Sequence, residues 1–334
     1  MGCLAFEAAG ARFYYDLMST PARLSVVIPT HNTRELTLRC VETLEAEGTP
    51  MEIVVVDDGG SDGTAEALAA HPGVEVIRQT PAGGFTKSAN RGLARARGEL
   101  LLLLNSDTEV VPGALSALLA AFDRDPKLGV AGAALHYPDG SPQWSGGRAP
   151  SLLWLFGLTS GLPRLLARLP RYRRVKPVGA APGSVDWVTG AALAMRRSVW
   201  EQVRPLDEGF RFYAQDLDVC LCAGAAGWKV ELLPDFRVMH HHGATIGRDP
   251  SSWGKQNAEL LWVDLLRWAG RSRGGSWGRR AALAMKAGAA LRLLGRGVAG
   301  VFVSPARRPG WRAESEAFRQ AAGALRASKS ISPE

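Results

Sequence analysis

Carboxylates and other polar side chains stand directly after three short, apolar runs of the chain. The segments are Pro29-Thr-His-Asn32, Asp57-Asp58 and Asn105-Ser-Asp107, and the last of them follows five consecutive leucines. Mg²⁺ and Mn²⁺ prefer oxygen ligands and use one or two carboxylates together with substrate phosphates. Capping of a helix expected near Pro112 is the alternative role for Asp107, but the distance is unfavourable. The residue types therefore favour chemistry on a phosphate-bearing substrate, with Asp107 as a candidate metal ligand.

The paired carboxylates of Asp57 and Asp58 are predicted to end a buried strand, where they repel each other unless one has a partner. A ligand with N–H or hydroxyl donors, such as a nucleobase or a ribose, would supply that partner. Turn capping is the alternative, because Asp-Gly-Gly-Ser-Asp is good turn chemistry. Gly59, Gly60 and Gly63 lack the G-x-G-x-x-G spacing, so a dinucleotide-binding fingerprint is excluded.

Two later segments also carry titratable side chains. In the extended segment His240-His-His-Gly243, His240 and His242 share one face and could ligate a metal or contact a diphosphate. A structural role is the alternative. Asp216 lies in the first turn of a helix predicted over residues 215–226, and we expect the helix amides to keep it ionised and able to accept a proton. Its alternative is an ordinary carboxylate at a helix N-terminus.

Strands alternate with helices through the first third of the chain. Asn32 with Glu35 resembles a capping box at the start of the first helix. Apolar strands that alternate with helices indicate an α/β fold, with a mainly parallel sheet covered on both faces. Ligands of such sheets bind at the carboxyl ends of the strands, where the polar segments stand. The predicted strands are Leu24–Pro29, Glu52–Asp57, Val74–Arg78, Leu100–Leu104, Val230–Leu233 and Phe236–His240, and further helices are predicted over 64–70 and 84–97.

The net charge of +8 is unevenly distributed. Residues 271–330 contain thirteen Lys and Arg against two Glu, whereas residues 1–270 sum to −2. A basic C-terminal tail suits an anionic membrane surface or nucleic acid, and nothing else in the chain favours nucleic acid. A tail that is simply solvated is the alternative. Within residues 281–303, apolar side chains share one helical arc and cations the opposite one, as in interfacial helices; packing of the apolar face onto the body is the alternative. The apolar residues are Leu283, Leu291, Leu294, Val298, Val301 and Phe302, and the cations are Lys286, Arg292 and Arg296.

Seven motifs occur in a fixed order between residues 24 and 245. They are Val26-Val-Ile-Pro-Thr-His-Asn32, Val54-Val-Val-Asp-Asp-Gly-Gly-Ser-Asp-Gly-Thr64, Gly83-Gly-Phe-Thr-Lys-Ser-Ala-Asn-Arg-Gly92, Leu102-Leu-Leu-Asn-Ser-Asp-Thr108, Asp186-Trp-Val-Thr-Gly-Ala191, Phe212-Tyr-Ala-Gln-Asp-Leu-Asp218 and His240-His-His-Gly-Ala-Thr245. Together they resemble the family-2 glycosyltransferases, whose nucleotide-sugar-binding fold is called GT-A. Within that family the chain is most similar to rhamnosyltransferase-type enzymes of bacterial surface polysaccharide assembly.

The resemblance implies a role for each matching residue. Asp216 matches the catalytic base, Asp107 the metal-binding aspartate of a D-x-D-like motif, and His240 the histidine that approaches the metal or the diphosphate. Asn105 stands at the first position of the D-x-D-like motif, and Gln215 replaces the Glu before the base, so the chain departs from the family at two positions. The remaining assignments are the nucleobase and ribose for Pro29, His31 and Asp58, the border of the nucleotide for Lys87 and Asn90, and the sugar and acceptor pocket for Trp187, Thr189 and Gly190.

The resemblance therefore implies an inverting glycosyltransferase that uses Mn²⁺ or Mg²⁺. It would move a sugar, with rhamnose as one candidate, from a dTDP-, UDP- or GDP-sugar to a glycan or lipid-linked acceptor in cell-surface polysaccharide synthesis. We expect a cytoplasmic protein, peripheral at the inner face of the cell membrane. The expected regions are an N-terminal extension (1–20), a nucleotide-sugar-binding half (21–135), an acceptor and catalytic half (136–250) and a basic, amphipathic helical tail (251–334).

Three other functions compete with this one. A catalytically silent sugar-nucleotide-binding protein would explain Gln215 and Asn105, and donor binding without turnover would distinguish it. A nucleotidyltransferase would need a basic, Gly-rich loop after the first strand, where Pro29-Thr-His-Asn32 stands instead. A membrane-binding scaffold would explain the basic tail but would leave the seven motifs unexplained.

Overall fold

The computed structural model describes residues 22–163, 183–203, 205–241 and 258–327. Within them the strands are β1 (Leu24–Thr30), β2 (Met51–Asp57), β3 (Val74–Arg78), β4 (Leu100–Leu104), β5 (Thr108–Val110), β6 (Leu128–His136), β7 (Gly146–Gly147), β8 (Gly183–Ser184), β9 (Trp187–Val188), β10 (Ala192–Arg196) and β11 (Lys229–His240). The central nine-stranded sheet has the order β3-β2-β1-β4-β10-β6-β11-β5, and β8 pairs with β11. A separate two-stranded sheet joins β7 to β9.

The part of the sheet formed by β3, β2, β1 and β4 is parallel. Alternate residues of these strands face two different apolar clusters, so both faces are covered and the strands need no polar side. Thr30 lies opposite Asp57, and Pro29 is buried in β1 beside Val56. The carboxyl ends of β1 and β2 therefore lie side by side, as predicted for this α/β class.

The second part of the sheet carries the later motifs to the same edge. β10 is inserted antiparallel between β4 and β6, and β11 pairs with both β6 and β5. The register places His240 opposite Thr108. The two strands predicted at Val230–Leu233 and Phe236–His240 are one strand, because a register shift between Leu233 and Arg237 absorbs the intervening residues without ending the pairing.

Helices cover both faces of the sheet. The predicted capping box at Asn32 and Glu35 is wrong, since the first helix begins at Arg34 and has no side-chain cap. Asn32 instead has a φ of 52°, and its Oδ1 accepts from the amide of Ser61 at 2.8 Å. The helices are α1 (Arg34–Glu45), α2 (Thr64–Leu68), α3 (Phe85–Arg95), α4 (Ala114–Arg124), α5 (Leu152–Ser160), α6 (Arg197–Val203), α7 (Gln215–Ala225), α8 (Ala258–Ser272), α9 (Gly274–Gly300) and α10 (Arg308–Ala327).

The C-terminal helices α8, α9 and α10 pack onto the body of the protein. Trp262 and Trp268 of α8 and Phe318 of α10 are buried in the same apolar cluster as β4 and α3. In the described residues, no helix combines the length and the apolar character needed to cross a membrane.

The apolar arc of α9 faces outward, on the side opposite to Arg292 and Arg296, which face the body. The spacing in residues 281–303 predicted these two opposite arcs, and attachment of the apolar arc to a membrane stays a prediction. The guanidinium carbons of Arg292 and Arg296 lie 4.3 Å from the ring centre of Phe318 and 3.8 Å from that of Trp311, respectively. Cation–π contacts with the buried Phe318 and the half-buried Trp311 thus hold the cationic face inward. The apolar arc does not pack onto the body.

Candidate active site

The polar segments after β1, β2 and β4 are joined by hydrogen bonds at one edge of the sheet. Nδ1 of His31 donates to the carbonyl oxygen of Asp58 at 2.8 Å. Because a carbonyl oxygen can only accept, Nε2 carries the lone pair of the neutral ring, and the Asn32 amide donates to it at 3.2 Å. The hydroxyls of Thr33 and Ser106 lie 3.0 Å apart and connect the ends of β1 and β4. The exposed ring of His31, predicted to contact the nucleobase, is therefore fixed at this edge.

The carboxylate of Asp58 is bound by the chain itself. Its Oδ1 accepts from the side-chain amide of Gln79 at 2.6 Å. Its two oxygens also accept from the consecutive backbone amides of Gly83-Gly84 at 2.6 and 2.8 Å. The neighbouring Asp57 accepts from the amide of Gly60 at 2.9 Å. Protein donors therefore satisfy both carboxylates, and their proximity does not by itself require a ligand. A ribose or nucleobase contact of Asp58 stays a prediction.

Asp107 and His240 face each other, and a residue that the motifs did not include fixes the histidine. Nε2 of His240 lies 3.3 Å from Oδ1 of Asp107, and both residues are buried. The Gln143 side chain donates through Nε2 to the carbonyl oxygen of His240 at 2.6 Å, so its Oε1 accepts from Nδ1 of the ring at 3.0 Å. In the neutral ring this arrangement leaves the lone pair on Nε2, toward Asp107.

This pair fits the donor set of a divalent cation. Two adjacent ligands of an octahedral ion with bonds of about 2.1 Å lie about 3 Å apart, close to the separation of Asp107 and His240. The described residues contain no group of three or more His, Cys, Asp or Glu that could hold a metal. A bound ion would therefore need other ligands, and substrate phosphates commonly provide them. His241 turns away to Glu109, at 2.7 Å, and His242 lies outside the described residues.

The helix α3 carries the two residues predicted to border the nucleotide. Lys87 is exposed near its start, whereas Asn90 is buried. The Asn90 amide donates to the carbonyl oxygen of Leu206 at 2.9 Å and to Glu208 at 3.2 Å, and its oxygen accepts from the Leu206 amide at 2.9 Å. Thr86 donates to a neighbouring carbonyl in the same loop. Asn90 thus attaches the loop before α7 to α3, and its nucleotide contact stays a prediction.

The residues predicted for the sugar and acceptor pocket lie between the small sheet and β10. Trp187 is mostly buried, and its ring packs edge-on against the exposed Trp144 with the centres 5.0 Å apart. The amide of Thr189 donates to the carbonyl oxygen of Ser145 at 3.0 Å. Gly190 is the next residue, and its amide points to α7. The structure therefore gives Trp187 a packing role and places Gly190 directly beside the candidate base.

Asp216 accepts hydrogen bonds from two backbone amides. Its Oδ2 accepts from Gly190 and its Oδ1 from Leu217, each at 2.8 Å. Burial raises the pKa of Asp216, and these amides oppose the rise. Desolvation of the carboxyl, which the helix position alone does not reveal, is the larger effect on its pKa, and the ionised state expected from the helix amides stays a prediction. Ala191 accepts from the amide of Asn105 at 3.0 Å, so the base and the segment with the candidate metal ligand are joined through Gly190 and its neighbour.

The turn before Asp216 is held from the far end of the chain. Asp264 of α8 is buried, and its carboxylate accepts from the consecutive amides of residues 211–213 at 3.2, 3.0 and 2.9 Å. Ala214, which precedes α7, has a φ of 69°, a left-handed conformation that costs an alanine about 1 kcal/mol or more. Asp264 stabilises this strained turn and thereby the position of Asp216.

The comparison with family models decides the identity of the protein. Residues 25–203, more than half of the chain, match the model described as Glycosyl transferase family 2. The chain belongs to glycosyltransferase family 2.

Two relatives illustrate where this glycosyltransferase stands within the family. It is 31% identical over 221 residues to the N-acetylglucosaminyl-diphospho-decaprenol L-rhamnosyltransferase of Mycobacterium tuberculosis. The aligned region covers 61% of this chain and 70% of that protein. The chain is 28% identical over 242 residues to the O-antigen biosynthesis protein RfbC of Myxococcus xanthus, covering 70% of this chain and 18% of that protein.

Solved structures share the fold of this glycosyltransferase. The mannosyltransferase PcManGT from Pyrobaculum calidifontis, in complex with GDP-Man and Mn²⁺, matches with a TM-score of 0.50 and 17% identity over 97% of this chain and 96% of that one. GalNAc-T7 with UDP, GalNAc and Mn²⁺ matches with a TM-score of 0.50 and 19% identity over 66% and 44%. At these identities the likeness concerns the fold, which is GT-A.

Two residues that support the candidate site in this glycosyltransferase lie outside the seven motifs. Gln143 lies in a Gly-, Pro- and Trp-rich region without periodicity, and no local pattern indicates its contact with His240, 97 residues later. Asp264 does have a local signal, since it is a carboxylate within the apolar run Leu260-Leu-Trp-Val-Asp-Leu-Leu266. A buried carboxylate in an apolar helical run needs donors, and here they are the amides before α7.

Proposed function

We propose that this glycosyltransferase moves a sugar, by a divalent-metal-dependent and inverting reaction, from a nucleotide-diphosphate donor to a hydroxyl of a glycan or lipid-linked acceptor. The observation that carries the proposal is the placement of Asp216. Its carboxylate is held by Gly190, and the adjacent Ala191 binds the segment that ends in Asp107. A base for the acceptor and a ligand for a diphosphate-bound ion thus lie on connected segments.

On the acceptor side, Asp216 accepts the proton of the acceptor hydroxyl while that oxygen attacks the anomeric carbon. The bond from this carbon to the diphosphate oxygen breaks on the opposite face, so one displacement inverts the configuration. A raised pKa makes the Asp216 carboxylate a stronger base than an ordinary one. A positioned general base contributes about 10²–10⁴-fold to a rate.

On the donor side, Asp107 and His240 would hold Mn²⁺ or Mg²⁺, with Gln143 fixing the ring of His240. The ion, when bound, neutralises negative charge on the leaving diphosphate. His31 offers an exposed ring for the nucleobase. Asp58, already bound by three protein donors, keeps the Gly83-Gly84 turn next to the end of β2.

The chain's departure from the family at Gln215 is compatible with catalysis. The Gln215 side chain is buried, and its Nε2 donates to the carbonyl oxygen of Phe212 at 3.1 Å. A Glu at this position would present an oxygen to that carbonyl, so the amide suits the local turn. This hydrogen bond concerns the turn and not the reaction, so Gln215 and Asn105 both remain arguments for the silent sugar-nucleotide-binding protein.

The donor sugar and the acceptor are proposed from the relatives. The mycobacterial relative is a rhamnosyltransferase, and its name specifies a lipid-linked acceptor. The relative from Myxococcus xanthus is an O-antigen biosynthesis protein. We infer rhamnose from a dTDP, UDP or GDP donor, and a role in cell-surface polysaccharide synthesis. A lipid-linked acceptor implies a cytoplasmic protein that works at the inner face of the membrane.

Release of nucleoside diphosphate from a panel of nucleotide sugars, with and without Mn²⁺, tests the proposal. Many transferases hydrolyse their donor slowly, so the measurement needs no acceptor; each donor is then retested with a polyprenyl-diphosphate-linked sugar. Metal-dependent release from one donor supports the proposal. A donor that binds but is never turned over, with or without the acceptor, supports the silent-binder alternative. Absence of binding to every donor contradicts both.

A further inference from the structure

The outward face of α9 carries large apolar side chains that no described residue covers. Leu283 is 72% exposed, Leu294 68% and Val298 60%. The turn after the helix adds Val301 and Phe302, which are 73% and 85% exposed. A globular protein usually exposes large apolar residues singly, so a row of them along one helix face indicates a binding surface.

The packing of the opposite face of α9 fixes this orientation. Arg292 donates to the carbonyl oxygen of Leu158 at 2.8 Å, and Arg296 donates to that of Trp311 at 2.8 Å. Gly288 approaches α5 so closely that a side chain there would collide with it. These contacts set the rotation of the helix about its axis, so the apolar row is held toward the outside.

A basic groove adjoins the apolar row between α9 and α10. It has a volume of about 450 Å³, and Val301 of the row lines it together with four arginines. Two of them, Arg308 and Arg312, are exposed and form no ion pair with a described residue. The other two are neutralised by carboxylates of α10, Arg296 by Glu314 and Arg319 by Glu316.

The positive charge around the apolar row indicates which kind of partner binds there. Residues 274–327 contain ten Lys and Arg against two Glu. A second copy of the chain would bring the same positive charge to the contact and be repelled. An anionic lipid surface complements both features, because its phosphates match the arginines and its acyl region accepts apolar side chains. Apolar insertion combined with a basic patch is the pair of signals that gives stable peripheral binding.

We propose that the α9 face, consisting of the apolar row 283–302 and the groove at Arg308 and Arg312, docks onto an anionic membrane surface. The groove takes a lipid phosphate, and Val301 and Phe302 enter the interfacial region with α9 lying parallel to the membrane plane. The peripheral location belongs to the proposed function, and this docking site deepens it. The contact requires neither donor nor acceptor, so it can be tested apart from sugar transfer.

Cosedimentation of the full chain with vesicles tests the docking site. Vesicles of phosphatidylcholine alone are compared with vesicles that also contain phosphatidylglycerol, at low and at high salt. The variants are Val301→Ser with Phe302→Ser, and Arg308→Gln with Arg312→Gln. Arg39→Gln with Arg124→Gln removes the same charge from exposed positions on α1 and α4 and is the matched control. Circular dichroism and thermal unfolding verify that each variant is folded.

We expect the wild type to bind the anionic vesicles more tightly and to release them at high salt. Loss of two cations from a surface near anionic lipid lowers the affinity about 25-fold, and the loss of the two apolar side chains lowers it by about tenfold or more. The control and Phe302→Leu bind like the wild type. Equal binding to both vesicle types, or undiminished binding by both double variants, overturns the proposal. A wild-type dimer that Val301→Ser with Phe302→Ser converts to a monomer overturns it too, because a second copy then covers the face.

Discussion

The proposed donor side and the proposed acceptor side of the candidate active site hold their carboxylates in different ways. On the donor side, side chains take part: Gln79 binds Asp58, and His240 faces Asp107. On the acceptor side, the hydrogen bonds from described residues to Asp216 come from backbone amides. Backbone amides orient a carboxylate without bringing a full positive charge, so burial dominates and raises the pKa of Asp216. The proposed donor side thus adds side-chain partners to backbone amides, whereas at Asp216 desolvation is the larger effect on the pKa.

Asp216→Asn gives the largest expected effect and separates the two sides. We expect sugar transfer to fall by about 10²–10⁴-fold, because the amide cannot accept the proton of the acceptor hydroxyl. The affinity for the donor stays unchanged, since donor contacts lie on the other side. Transfer assays and isothermal titration with the nucleotide sugar measure the two quantities. Asp235→Asn, an exposed carboxylate of β11, is the matched control; equal loss of donor affinity in Asp216→Asn would contradict the division.

Asp107→Ala tests the donor side in the same way. We expect loss of the Mn²⁺-dependent part of donor binding, because a carboxylate ligand is removed.

Gln143→Leu keeps both ligands but releases the ring of His240, and we expect the Mn²⁺ affinity to fall about 10–100-fold. Titration of Mn²⁺ in the presence of nucleoside diphosphate measures both. Normal Mn²⁺ affinity in Gln143→Leu would show that the hydrogen bond to Nδ1 does not orient the ligand.

Asp264→Ala tests how the acceptor side is supported. Three amides before α7 would lose a charged acceptor, so we expect the free energy of unfolding to fall by about 3 kcal/mol. Asp264→Asn retains one acceptor oxygen and should lose less. Urea denaturation measures the change, and Glu201→Gln, at an exposed carboxylate of α6, is the control, expected within about 0.5 kcal/mol. A loss in Asp264→Asn as large as in Asp264→Ala would mean that the charge, and not the acceptor geometry, stabilises the turn.

The smallest expected effect concerns pH. Since the folded pKa of Asp216 is raised above its ordinary value of 3.8, the group stabilises the fold fully at pH values below that ordinary value. As the pH rises through the folded pKa, the buried carboxyl must ionise and this contribution is lost. The free energy of unfolding of the wild type minus that of Asp216→Asn should therefore decrease from acidic to neutral pH. Denaturation at a series of pH values measures it, and a difference that rises with pH would contradict the burial argument.

The sequence predicted the donor side better than the acceptor side, for physical reasons. Leu100–Leu104 agrees with the structure, because a strand between two helical layers appears as an unbroken apolar run. Val74–Arg78 agrees as well, although it contains Glu75 and is a half-buried strand at the edge of the sheet. Parallel strands end at one edge, so the convergence of Asp58 with His31 follows from local patterns. Pairings that join distant segments have no such local signal.

The acceptor side depends on those distant pairings. β10 enters the sheet antiparallel, and its position beside β4 brings Gly190 to the site, which no run of residues indicates. The helix position of Asp216 is visible in the sequence, whereas the desolvation that raises its pKa comes from the surrounding fold. The helical spacing of the apolar residues predicted the apolar arc of α9. Its exposure, however, depends on the contacts of Arg292 and Arg296 with aromatic rings of α10, which the sequence does not reveal.

The contact between Asp264 and the amides of residues 211–213 also determines when this turn can form during translation, because Asp264 is synthesised after it. On the ribosome, the donor edge can assemble once His240 has emerged, because its partners all lie earlier in the chain. The turn that carries the base receives its acceptor when α8 has been synthesised and has docked. A protein shortened to the region before residue 258 would retain the donor edge and lack that support. We therefore expect fragments and fusions that end before α8 to lose the support that Asp264 gives to the turn before Asp216.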